Sequence, residues 1–160
     1  MQYDNNDLVG KLPKSPHKNL VNLGTLLIGK WRMHGDTIDG FVEFDWLEGG
    51  FFLIHRFDLH AKEESPKGVE FIGWNEKTNT LRSQLYGVDG SRFTYTWELK
   101  RQRLTTWFGE KGSIVRSIGK VISQNKIEAA WEGPDGGYSY TLDKLLPNNS
   151  FKPTPLRGSA

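Results

Sequence analysis

TLRSQLYGVDGSRFTYTWELKRQRLTTWFG, residues Thr80–Gly109, holds three strand-like runs parted by two short turn signals, Asp89-Gly90 and Arg101-Gln102. Connections this short join antiparallel neighbours, because a parallel crossover needs a dozen or more residues. Side chains alternate between the faces of a strand, so the turns also set the register. A two-residue turn at Asp89-Gly90 puts Tyr86 opposite Phe93, Gln84 opposite Tyr95 and Arg82 opposite Trp97. The next turn puts Leu99 opposite Leu104, Trp97 opposite Thr106 and Tyr95 opposite Phe108. One face thereby collects Phe93, Tyr95, Trp97, Leu99, Leu104 and Phe108, which marks it as interior. Arg82, Gln84 and Tyr86 are expected to point inward with them.

The same alternation of run and turn extends in both directions. The expected strands are Lys30–Ile38, Gly40–Leu47, Phe51–His60, Gly68–Asn75, Thr80–Gly87, Arg92–Leu99, Arg103–Gly109, Ser113–Ile122, Lys126–Glu132 and Tyr138–Lys144. Glu48-Gly49-Gly50, Gln124-Asn125 and Pro134-Asp135-Gly136-Gly137 supply further turns. A meander of about ten strands twists too strongly to stay open, and closure removes both edges. The uniformly short hairpins lack the long return of a Greek-key sandwich. The expected fold is therefore all-β: one antiparallel meander barrel. Leu20, Leu23 and Leu27 recur at helical spacing just before it, predicting one or two helical turns that close one end. Residues 1–18 read as a flexible arm, 19–147 as the barrel domain and 148–160 as a disordered tail.

Register elsewhere adds to the interior. The Glu48-Gly49-Gly50 turn groups Val42, Phe44 and Trp46 with Phe51, Leu53, His55 and Phe57, leaving Glu43 and Asp45 to face Arg56 on the outside. The Gln124-Asn125 turn groups Ile114, Arg116, Ile118 and Ile122 with Ile127, Ala129 and Trp131, and Tyr138, Tyr140 and Leu142 continue that face. Aromatic walls with a few polar groups are the usual composition of a ligand site. The expected binding residues are Trp31, Trp46, His55, Arg82, Tyr86, Tyr95, Trp97, Arg116 and Trp131. A buried guanidinium needs a counter-charge, so inward Arg82 and Arg116 imply an anionic group on the ligand unless they reach solvent at a barrel mouth.

Composition narrows the remaining chemistry. With no Cys, thiolate catalysis, disulfides and Cys-bound metals are excluded. No Ser stands in a nucleophile-elbow motif, and the four His residues (His17, His34, His55, His60) form no metal-ligand spacing. His55 and His60 differ in parity and so face opposite sides of one strand. A net charge of +2, from 21 basic and 19 acidic residues spread along the chain, gives no field of the kind nucleic-acid binding uses. The N-terminus lacks the pattern of a signal peptide and no apolar run reaches membrane-spanning length, so a cytoplasmic location is expected, with neither nucleic acid nor membrane as partner.

Gly29-Lys30-Trp31, following a short helical segment and opening the first strand, resembles the Gly-x-Trp start of the lipocalin and wider calycin group. That resemblance implies that Trp31 plugs the closed end and that Lys144, beyond the last strand, packs over it. Four segments, Leu27–Trp31, Trp46–Gly50, Ile72-Gly73-Trp74 and Asp135-Gly136-Gly137-Tyr138, are similar to those of a bacterial lipocalin-like family of unknown function. It implies a calycin-like barrel and supplies no catalytic residues. The ending Asn148–Ala160 resembles the read-through peptides of integron cassette genes.

Three functions follow as expectations. The first is non-catalytic binding of a small apolar or aromatic molecule, with an anionic end held by Arg82, Tyr86 and Arg116, and without a cofactor. The second is a small-substrate enzyme of isomerase or cyclase type with His55 as acid–base group. The third is a protein-interaction module, such as a homodimer, built on a filled barrel.

Overall fold

The computed structural model describes residues 12–146. The tail expected at 148–160 and most of the expected N-terminal arm lie outside them. A helix, α1 (Lys18–Leu27), precedes ten strands: β1 (Gly29–His34), β2 (Ile38–Trp46), β3 (Phe52–Ala61), β4 (Lys67–Asn75), β5 (Thr80–Gly87), β6 (Arg92–Lys100), β7 (Arg103–Phe108), β8 (Arg116–Ser123), β9 (Lys126–Glu132) and β10 (Tyr138–Lys144). Each strand pairs antiparallel with the next, and β10 returns to β1 to close the barrel. No helix among the described residues is long and apolar enough to cross a membrane.

Helix α1 is a lid over one end. It runs longer than the Leu spacing implies because both of its ends are capped. The His17 ring accepts the Asn19 N–H at 3.0 Å and stacks on Trp74 at 3.6 Å. At the other end the Ile28 N–H closes the last turn on Gly24 O at 2.9 Å, and two carbonyls that the helix leaves unpaired find side-chain donors: Leu27 O takes the Trp31 indole N–H at 2.8 Å and Leu26 O the Lys144 ammonium at 3.2 Å. Leu20, Leu23 and Leu27 turn inward and are fully buried with Trp31. Gly24 lies against Trp46: a Cβ there would sit 2.1 Å from the indole ring, so only glycine admits this approach.

Two hairpins depart from the expected register, each by one residue. Between β5 and β6 the loop holds three residues, Val88-Asp89-Gly90, closed by Gly87 and Ser91. Gly87 O accepts the Gly90 N–H at 3.0 Å, Gly90 takes a φ of 89°, and Asp89 accepts the Ser91 N–H at 3.0 Å. A turn followed by a left-handed glycine is the usual three-residue hairpin. Tyr86 therefore pairs with Arg92, Gln84 with Thr94 and Arg82 with Thr96. Every β5 side chain changes face: Leu81, Ser83 and Leu85 point inward, and Arg82, Gln84 and Tyr86 outward. Between β8 and β9 the turn is as expected, but a bulge at Ile122 shifts the pairing to Val121 with Ile127, Gly119 with Ala129 and Ser117 with Trp131. Arg116 and Ile118 then lie outside, and Ile114 (71% exposed) belongs to the loop before β8. The β2–β3 and β6–β7 pairings follow the expected register, including Glu43 opposite Arg56. Phe51 stands in the β2–β3 loop rather than on the inner face, and Phe93 and Phe108 are about two-fifths exposed at the rim rather than buried.

Candidate functional site

The barrel is closed at one end and open at the other. Trp31 and the leucines of α1 fill the closed end, where the Lys144 ammonium stands 4.8 Å above the Trp31 ring. Above this floor lies a cavity of about 630 Å³ that opens between the β3–β4 loop (Glu64, Ser65, Pro66) and the β5–β6 loop (Val88, Asp89). That volume falls within the ordinary range for small-molecule sites. The space exists because one side of the wall is lined by small residues: Thr106 on β7, Ser117 and Gly119 on β8, and Ala129 on β9. Beside them, on the same and adjacent strands, stand aromatic rings. Tyr95 meets Phe108 at 5.5 Å and Trp131 at 6.0 Å, and Tyr138 meets Tyr140 at 6.0 Å.

One polar cluster is embedded in this wall. Glu70, on β4 and 2% exposed, lies directly across from His55 on β3. Its Oε1 is 2.8 Å from His55 Nδ1, and its Oε2 accepts the Trp97 indole N–H at 3.1 Å and the Ser83 hydroxyl. The His55 ring is stacked on Phe44 at 4.2 Å and stands edge-on to Trp97. Its Nε2 is buried with no hydrogen-bond partner.

The cavity tyrosines stay protonated. Burial, and then the negative charge of Glu70, raises the Tyr95 phenol; burial and then Glu64 raise Tyr138. Tyr140 is pushed up to about 12 by burial, which outweighs the opposing hydrogen bond with Ser117 at 2.6 Å. Among the described residues no group of three or more His, Asp or Glu could hold a metal ion.

The nine residues expected to bind are dispersed by this geometry. His55, Tyr95, Trp97 and Trp131 line the cavity. Trp31 lies below it as the floor of the barrel, and Trp46 packs on α1 rather than on the cavity. Arg82, Tyr86 and Arg116 are outside. Arg82 is 3.5 Å from Glu110, Tyr86 lies 5.9 Å from Arg92 in a cation–π contact, and Arg116 donates to Glu132 at 2.7 Å. The three expected anion anchors are therefore ordinary surface partners. Glu70 and Ser83, the centre of the polar cluster, were not expected. Ser83 was hidden by the slipped register. Glu70 shares strand parity with Ile72 and Trp74, and that parity was the available signal.

No protein-family model and no curated protein matches the chain. Among solved structures, a de novo designed fluorescence-activating β-barrel is similar to it at 16% identity and a TM-score of 0.44, over 76% of this chain and 95% of the designed one.

Proposed function

We propose that this protein binds a small, largely apolar aromatic molecule inside its barrel. One observation carries the proposal: a mouth-accessible cavity of about 630 Å³ with aromatic walls and a single buried polar cluster. A filled barrel serving only as an interaction module would have no such space. Catalysis by His55 has less support, because Nδ1 is committed to Glu70 and Nε2 is buried, leaving neither nitrogen to meet a reacting atom. A lipocalin-like relationship is part of the proposal, supported by Trp31 at the closed end with Lys144 above it. The outward course of Arg82 and Arg116 removes the basis for an anionic ligand.

A thermal-shift panel of aromatic compounds of differing charge tests the proposal. Ligand at about 100 times its Kd adds about 2.7 kcal/mol of stability by mass action, which a melting curve resolves easily. Saturable shifts from compounds of two or three fused rings are expected. A panel without a single saturable shift would refute it.

A further inference from the structure

We propose that the cavity selects organic cations: its natural ligand is a flat aromatic or heteroaromatic molecule bearing a positive charge. This rests on the binding function proposed above and specifies its chemical class.

Charge inside the barrel runs one way. The deep wall holds one carboxylate, Glu70, and among the described lining residues no Lys or Arg lies near that depth. His55 is the other titratable group beside it, with its Nδ1 facing Glu70. At the mouth stand Glu64 and Asp89 against a single Lys67. A ligand travelling inward meets a net negative rim and then the Glu70 carboxylate in the wall. Electrostatic interaction is strongest where water is excluded, so Glu70 acts on the ligand through a low-dielectric wall.

The rest of the wall suits the same class. Phe44, Tyr95, Trp97, Trp131, Tyr138 and Tyr140 surround the space, and aromatic faces attract cations, more strongly when desolvated. An anion would face both the carboxylate and the negative faces of the rings, with no counter-ion to offset its desolvation.

Three probes of nearly the same shape separate charge from size: N-methylquinolinium, 1-methylnaphthalene and 1-naphthoate. Affinities are measured by quenching of intrinsic tryptophan fluorescence on the full chain. The expected order is cation, then neutral, then anion, with the cation at least tenfold tighter than the neutral probe. Glu70→Gln keeps an acceptor for Trp97 and Ser83 but removes the charge. It should reduce the cation's advantage over 1-methylnaphthalene fivefold or more, whatever small change in affinity the two probes share. Raising salt from low to 0.5 M should weaken the rim contribution while most of the preference survives. Naphthoate binding as tightly as the quinolinium would overturn the charge preference while leaving the binding site intact, as would an unchanged preference in Glu70→Gln. Failure of all three probes would instead overturn the binding function itself and this proposal with it.

Discussion

Replacing Glu70 by Leu tests the centre of the site. The carboxylate accepts from Trp97 and Ser83 and faces His55 Nδ1, and it is 2% exposed. Leucine fills similar volume and leaves three donors without that acceptor. Each buried donor stranded in this way costs about 1–3 kcal/mol. Trp97 keeps a contact with Ser83 Oγ at 3.1 Å, and the His55 ring borders a cavity that admits water, so the sum falls short of three full penalties. The expected loss is about 3–5 kcal/mol, in the range found when one partner of a buried charged network is removed. Glu70→Gln retains one acceptor oxygen and lets His55 change tautomer to accept from the amide, so its cost should be about 1–2 kcal/mol. Adding His55→Phe to Glu70→Leu removes one stranded donor and the orphan Nε2 together, and should recover at least 1 kcal/mol by the same estimate. Urea unfolding followed by tryptophan fluorescence, with m-values compared between variants, measures all three. A Glu70→Leu loss below about 1 kcal/mol would refute the claim that this carboxylate organises the interior.

Other consequences are simpler. Gly24→Ala should be destabilising by about 1–3 kcal/mol because its Cβ would meet the Trp46 ring, despite the gain in helix propensity; a raised melting temperature would contradict that packing. Arg82→Ala and Arg116→Ala should leave the affinity for an aromatic probe within about twofold, since both side chains lie outside the barrel. In alkali the barrel should weaken in a definite window. Tyr140 has a folded value of about 12 against an ordinary 10.0, so its contribution is complete below pH 10 and disappears as pH rises through the folded value. Two units correspond to about 3 kcal/mol, readable as stability against pH alongside tyrosinate absorbance. Loss of stability confined to pH below 10 would oppose this account.

The barrel itself was legible because turn chemistry and alternation agree along most of the chain. Hairpins whose loops keep the expected register, such as Phe44 with His55 and Leu99 with Leu104, place their side chains as alternation requires. The site was less legible because two small local choices decide it. Val88-Asp89-Gly90 reads equally as a two-residue turn on Asp89-Gly90 or a three-residue loop ending in a left-handed glycine, and the second turns Ser83 in and Arg82 out. A bulge at Ile122 has no sequence mark of its own. It exchanges Arg116, Ile118 and Ile122 for Ser117, Gly119 and Val121 on the inner face. That exchange is what makes the interior a cavity rather than a core. Glu70 stood in a strand apolar on both sides, Val69 and Phe71 flanking it, so a buried carboxylate there had only its parity and its position across from His55 to announce it.

The most direct measurement of whether the interior is open is Ala129→Phe, made at the small-residue wall beside Tyr140. In an open cavity the added ring has room, so the fold should keep its stability to within about 1 kcal/mol while binding of 1-methylnaphthalene disappears. A destabilisation of about 3 kcal/mol from overpacking, or probe affinity unchanged in a stable variant, would contradict a ligand cavity at the centre of this barrel.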